Sequence, residues 1–170
     1  MGVREVLRYP HPALKAVARP LSFPDEAAEA ERATGDLLDT MGSMSFTTGV
    51  AATQLGELVR VVVVDVTGHR RTTACHGQIV LVNPIVIATS GETEVGREGC
   101  LSIPDLTANV RRPVAVVVTG LDAAGADLEV RTEGFEARCL LHEIDHLDGI
   151  LFLDRVDSMS TDVFRRKKYG

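Results

Sequence analysis

His142-Glu143-Ile144-Asp145-His146 places two imidazoles four residues apart with a carboxylate beside the first. On an α-helix, positions i and i+4 share a face, with Cβ atoms about 6 Å apart. Two imidazoles so placed can bind one metal ion from the same side, and Glu143 can then reach a water on that ion and take its proton. The string therefore predicts a metal site, a base and hydrolysis, but it lacks a third ligand. No histidine follows His146, and Asp148, Asp154 and Asp157 have no supporting motif. Upstream, Glu98-Gly99-Cys100-Leu101-Ser102-Ile103-Pro104 offers the thiolate of Cys100. The competing reading of Cys100 is a small buried apolar residue.

These residues need elements to hold them. Cys139, Leu140, Ile144 and Leu147 give the histidine-bearing segment an apolar stripe, so a largely buried helix is expected from Glu136 to Leu147, ended by Gly149. Pro24-Asp25-Glu26 opens another helical pattern, expected from Asp25 to Met44, with acidic residues in its first turn. Gly49 to Gly56 reads as a glycine-bounded loop or short extended segment. Val59 to Val66 is rich in β-branched residues and reads as a buried strand. Further strands are expected at Gln78 to Asn83 and Ile85 to Ser90, separated near Asn83-Pro84. Val114 to Gly120 and Leu128 to Phe135 suggest a hairpin around Ala123-Ala124-Gly125-Ala126. A short final helix is expected near Ser160 or Thr161. Strands thus cluster between an early and a late helix, with little β-α-β alternation. That predicts an α+β fold with mostly antiparallel sheets packed around a central helix, in one catalytic domain spanning residues 1–170.

Composition narrows the function classes. A formal net charge of -6 argues against nucleic-acid binding as the main task. The one basic cluster, Arg165-Arg166-Lys167-Lys168, reads as a solvated helix end. The longest apolar strand-like run, Val61 to Val64, is too short to span a bilayer. No cationic segment followed by an apolar core opens the chain, so a cytoplasmic protein with no membrane role is expected. An odd, sparse set of 3 cysteines, Cys75, Cys100 and Cys139, argues against a disulfide framework.

Gly49-Val50-Ala51-Ala52-Thr53-Gln54, then Glu98-Gly99-Cys100-Leu101-Ser102, then His142 to His146, occur in that order with suitable separations. Tyr9-Pro10-His11-Pro12, Asn83-Pro84 and His146-Leu147-Asp148-Gly149 add to the set. Over most of its length the chain resembles peptide deformylase, the metal-dependent hydrolase that removes formyl from the N-terminal methionine of nascent proteins. The resemblance implies Cys100, His142 and His146 as ligands of one divalent ion per chain, Fe²⁺ in the first place, with Zn²⁺, Ni²⁺ or Co²⁺ able to occupy the same donors. It implies Glu143 as the proton acceptor, and Gln54 with the backbone N–H of Leu101 as donors to the tetrahedral oxyanion. It implies a substrate cleft along Gly49, Val50, Glu98 and Gly99, an ion pair of Glu98 with Arg112, and Asp145 holding a ligand histidine or its helix. Phe135, Cys139 and Leu140 are candidates for the pocket taking the methionine side chain, with core packing as the competing role. The partners implied are formyl-methionyl peptides on nascent chains, with the ribosome surface as a further candidate.

The chain departs from that pattern at several places, among them a stretch between Met41 and Gly49 about one residue longer than usual and a short segment beyond Asp154. Thr47 stands where the first motif has its first glycine, Leu141 where glutamine is common, and Asp105 where glycine is common. A β-branched residue at positive φ is costly, so the cleft wall before Gly49 is expected to be reshaped. The alternatives are a divergent paralogue acting on another N-formyl or amide substrate or tolerating inhibitors, a general zincin-like endopeptidase, and a non-catalytic binding protein retaining the fold.

Overall fold

A computed structural model describes residues 2–167, leaving Lys168 of the basic cluster outside the described residues. Two helices, α1 (Ala27–Gly42) and α2 (Gly134–Leu147), accompany eight strands: β1 (Gly49–Ala51), β2 (Val61–Val64), β3 (Ile79–Thr89), β4 (Thr93–Cys100), β5 (Ile103–Pro113), β6 (Ala115–Leu121), β7 (Asp127–Glu133) and β8 (Val163–Arg165). A five-stranded sheet runs β1-β2-β3-β6-β7 and a three-stranded sheet runs β4-β5-β8. Every pairing within them is antiparallel.

The unbroken valine run of β2 explains the layering. Successive side chains of a strand point to opposite faces, and all four valines are fully buried. Val61 and Val63 pack with Leu37 and Met41 of α1, whereas Val62 and Val64 pack with Leu140, Ile144 and Leu147 of α2. The larger sheet is thus sandwiched between the helices, and α2 runs between it and the smaller sheet. Beneath the smaller sheet, Leu14, Ile103, Val110, Leu151 and Phe152 form a third apolar cluster that includes Cys100.

The α+β class, the buried β2 and the β6–β7 hairpin agree with the reading of the sequence. Several details do not. The expected break at Asn83-Pro84 is a distortion within one strand: β3 shifts register between Val82 and Ile85, and Asn83 takes φ of 52°. Asparagine tolerates that region, and its amide clasps the Leu21 backbone, accepting from the N–H at 2.9 Å and donating to the carbonyl at 2.7 Å. Phe135, expected to end a strand, lies in the first turn of α2. The final helix near Ser160 is absent: residues 163–165 form β8, which completes the smaller sheet by pairing with β5. The β-branched and aromatic Val163 and Phe164 fit a sheet edge better than a helix end.

Gly149 closes α2 with φ of 70°, and a Cβ there would lie 2.6 Å from the carbonyl oxygen of Lys15. Gly68 has φ of 73° but open space around it. Gly68→Ala is expected to cost about 1 kcal/mol, the left-handed penalty alone. Gly149→Ala is expected to cost about 3 kcal/mol, because the Lys15 backbone must also move. Urea midpoints of the two variants, which share one backbone class, check the difference.

Candidate metal centre

Cys100 ends β4, and His142 and His146 share one face of α2. One ligand atom from each lies within 4.8 Å of the others, and Cys100 Sγ is 3.3 Å from His146 Nε2. Burial pushes the Cys100 thiol up, but the charge of His146 and hydrogen bonds from both histidines outweigh it and hold the thiol well below its usual range. A thiolate with two imidazoles is a donor set that borderline-soft divalent ions accept, and three protein ligands leave a position open. His142 Nδ1 is engaged by Glu98 Oε2 at 2.9 Å, which leaves Nε2 free to bind an ion. The residues present therefore fit a divalent metal.

Behind the ligands lies a buried charge network. Glu98 receives Arg112 at 2.8 and 3.0 Å and Arg138 at 3.0 Å. Arg112 also donates to Asp145 at 2.7 Å, and Arg155 grips the same carboxylate at 2.6 and 3.1 Å. The Glu98–Arg112 pair is present as expected. Asp145 does not touch a histidine; it fixes α2 through the two arginines. Burial pushes Glu98 up, yet hydrogen bonds from His142 and Arg112 prevail and hold its carboxyl far below the usual range. Arg138 and Arg155 carry no local sequence signal for this role, because their partners are remote in the chain.

Glu143 has the opposite environment. Its Oε2 is buried without a hydrogen-bond partner among the described residues. Burial raises its pKa to about 6, against the lowering pull of His142 and His146. A Cβ at Gly49 would lie 2.7 Å from Glu143 Oε1, so only glycine lets β1 approach this carboxylate.

Gln54 is buried on a short 3-10 turn, Ala52–Leu55. Its Oε1 accepts from the Ala51 N–H at 3.0 Å, which aims Nε2 at Cys100 Sγ, 3.5 Å away, and at Ser102 Oγ, 3.1 Å away. Ser102 orients this amide and was not singled out by its type. Leu101 follows Cys100 at the turn between β4 and β5, in the wall of a cavity of about 270 Å³. Gly49, Glu98, Gly99, Phe135 and Cys139 share that wall. Cys139 is a buried thiol hydrogen-bonded to Thr48 at 3.5 Å, and burial pushes it up to about 12. The side chains of Val50 and Leu140 are fully buried in the core clusters and do not face the cavity. Both are core residues, and neither is among the residues lining the cavity.

Thr47 does not take a left-handed backbone; its neighbour Phe46 does, with φ of 66° and a side chain 99% exposed at the cavity lip. Leu141 is partly buried against the α2-side core, away from the ligands.

The polypeptide deformylase family profile matches residues 3–162. A peptide deformylase of Brucella suis is 36% identical over 167 residues, covering 98% of this chain and 92% of the relative. One from Desulforudis audaxviator is 38% identical, covering 99% of this chain and all of the relative. A crystal structure of class I type b peptide deformylase from Acinetobacter baumannii with Met-Ala-Ser bound superposes with a TM-score of 0.83 at 32% identity, covering 91% of this chain and 100% of that one.

The charge network makes a prediction of its own. A glutamate ionises near pH 4.3 in an unfolded chain and at lower pH in this fold. Its contribution to stability is therefore complete above that value and is lost as pH falls further. Urea denaturation should show wild-type stability dropping between about pH 5 and pH 3, with Glu98→Gln less stable at pH 7 and less sensitive across that window. Arg112→Met, which takes one shared guanidinium from two buried carboxylates and leaves Glu98 to Arg138 and Asp145 to Arg155, should cost about 3 kcal/mol.

Proposed function

The chain belongs to the polypeptide deformylase family, and from that premise we propose that it hydrolyses the formyl group from N-terminal formyl-methionine of nascent polypeptides, releasing formate. The observation that carries this reading is the convergence of the Cys100, His142 and His146 donors, the unpaired Glu143 carboxylate and the aimed Gln54 amide on one cleft.

The cleft suits an extended peptide. Its walls include Gly49 of β1 and Gly99 of β4, and each of these strands is the outer strand of its sheet. A chain lying between two open edges satisfies its backbone by β-augmentation. Phe135 and the stem of Cys139 offer an apolar wall for the methionine side chain.

Cys100, His142 and His146 would hold a divalent ion, which would supply Lewis acidity and lower the pKa of a bound water toward about 7. Glu143 accepts the proton of the attacking water and hands it to the leaving amine. Its unpaired, desolvated carboxylate, with a pKa raised to about 6, can do both near neutral pH. Gln54 Nε2 and the Leu101 N–H donate to the oxygen that becomes negative in the tetrahedral intermediate, and Ser102 and Ala51 hold the Gln54 amide in place beforehand. Glu98 keeps His142 in the tautomer that presents Nε2.

Among the possible ions we favour Fe²⁺ on the family resemblance; the mixed thiolate and imidazole donor set accepts Zn²⁺, Ni²⁺ or Co²⁺ equally. The formyl-methionyl substrate class supports a cytoplasmic reaction, with the ribosome surface as a further candidate partner. No helix among the described residues is long and apolar enough to cross a membrane.

Protein purified without oxygen and loaded with Fe²⁺ or Ni²⁺ should release formate from formyl-Met-Ala-Ser, and a chelator should abolish this. Glu143→Gln should lower kcat by about 10²–10⁴-fold and Gln54→Ala by about 10²–10³-fold, each with the metal still bound. Absence of formate from the loaded wild-type protein would sink the proposal.

A further inference from the structure

Three arginines surround the cleft mouth: Arg71 from the loop after β2, Arg97 from β4 and Arg166 from the segment after β8. All are anchored. The Arg71 guanidinium lies 4.5 Å from the Phe135 ring centroid and donates to the Arg97 carbonyl at 2.9 Å. The Arg97 guanidinium lies 3.7 Å from the Phe164 centroid. The backbone N–H of Arg166 donates to the Asp105 carbonyl at 2.8 Å, and its guanidinium passes over Gly99, where any side chain would collide with it.

Glu94 and Glu98 act on Arg71 through space without pairing with it. Among the described residues none of the three forms an ion pair. The two carboxylates that line the cavity are otherwise disposed: Glu98 is occupied by Arg112, Arg138 and His142, and Glu143 lies buried at the ligands. His69, stacked 4.2 Å from Phe135, adds no negative charge. In a protein of net charge -6, such a one-signed rim sets a local field at the cleft.

We propose that Arg71, Arg97 and Arg166 form an anion-accepting rim, which selects formyl-methionyl peptides carrying Asp or Glu in the residues that follow methionine. This rests on the formyl-peptide reading. With the formyl end at Glu143, the chain runs outward past Gly99, and its next side chains meet the arginines. Guanidinium pairs a carboxylate with two parallel hydrogen bonds, whereas a lysine there is repelled. Arg166 reaches this place only because residues 163–165 pair with β5.

The test compares kcat/KM for formyl-Met-Asp-Ser-amide, formyl-Met-Ala-Ser-amide and formyl-Met-Lys-Ser-amide, all with blocked C-termini. The Asp peptide should exceed the Lys peptide about 10-fold at low salt, and the ratio should shrink as salt screens the rim. Arg97→Gln with Arg166→Gln should bring the ratio near one, and Arg166→Glu should favour lysine. A wild-type ratio near one, or a ratio unchanged in the double variant, overturns the rim. Failure on the alanine peptide would instead count against deformylation. In that case calorimetric binding of Met-Asp-Ser-amide and Met-Lys-Ser-amide to the metal-loaded wild type still reads the rim, and equal affinities overturn it.

Discussion

Two carboxylates and two guanidiniums, Glu98, Asp145, Arg112 and Arg138, are buried behind the ligands, with Arg155 closing the network from the surface, and the geometry of the centre depends on their mutual satisfaction. Taking such ions out of water costs several kcal/mol apiece, which is tolerated because Glu98 and Asp145 accept from Arg112, Arg138 and Arg155 together. The members come from β4, β5, α2 and the 3-10 turn Phe152–Arg155. Glu98 lies two residues before Cys100, and Asp145 lies between His142 and His146. The network thus sets the register of the thiolate against the imidazoles. Apolar packing of the same volume would hold the elements with less directional demand; charge pairs accept few alternative alignments.

The same interior separates two glutamates into two roles. Glu98 is saturated with donors and stays ionised. Glu143 is buried with its Oε2 unpartnered among the described residues, so its affinity for a proton rises. Burial acts in the same direction on both, and the surrounding hydrogen bonds decide the outcome. Gly49 completes this division by leaving room for Glu143 without offering it a side chain to bond.

What the sequence made legible was local. The i, i+4 histidines, the apolar stripe of α2, the valine run of β2 and the β6–β7 hairpin each declare themselves within a dozen residues. Cys100 could not be chosen as ligand from its own neighbourhood and needed the ordered motifs around it. β4 was not anticipated, because Thr93 to Gly99 is largely solvent-facing and charged and carries no apolar alternation. β8 looked like a helix start at Ser160 and Thr161, since the sheet edge that captures it is formed by residues far upstream. The motif points to Thr47 as the strained position, yet the left-handed residue is its neighbour Phe46.

Two sheet edges left open toward one another carry an obligation as well as a use. An edge that accepts a substrate backbone would accept any extended chain, including another copy of the same strand. β1 is only three residues long, and β4 carries Glu94 and Arg97 among its exposed side chains. Brevity on one side and charge on the other leave self-association little to build on. Resistance to self-association is thus met by the same two strands that wall the cleft.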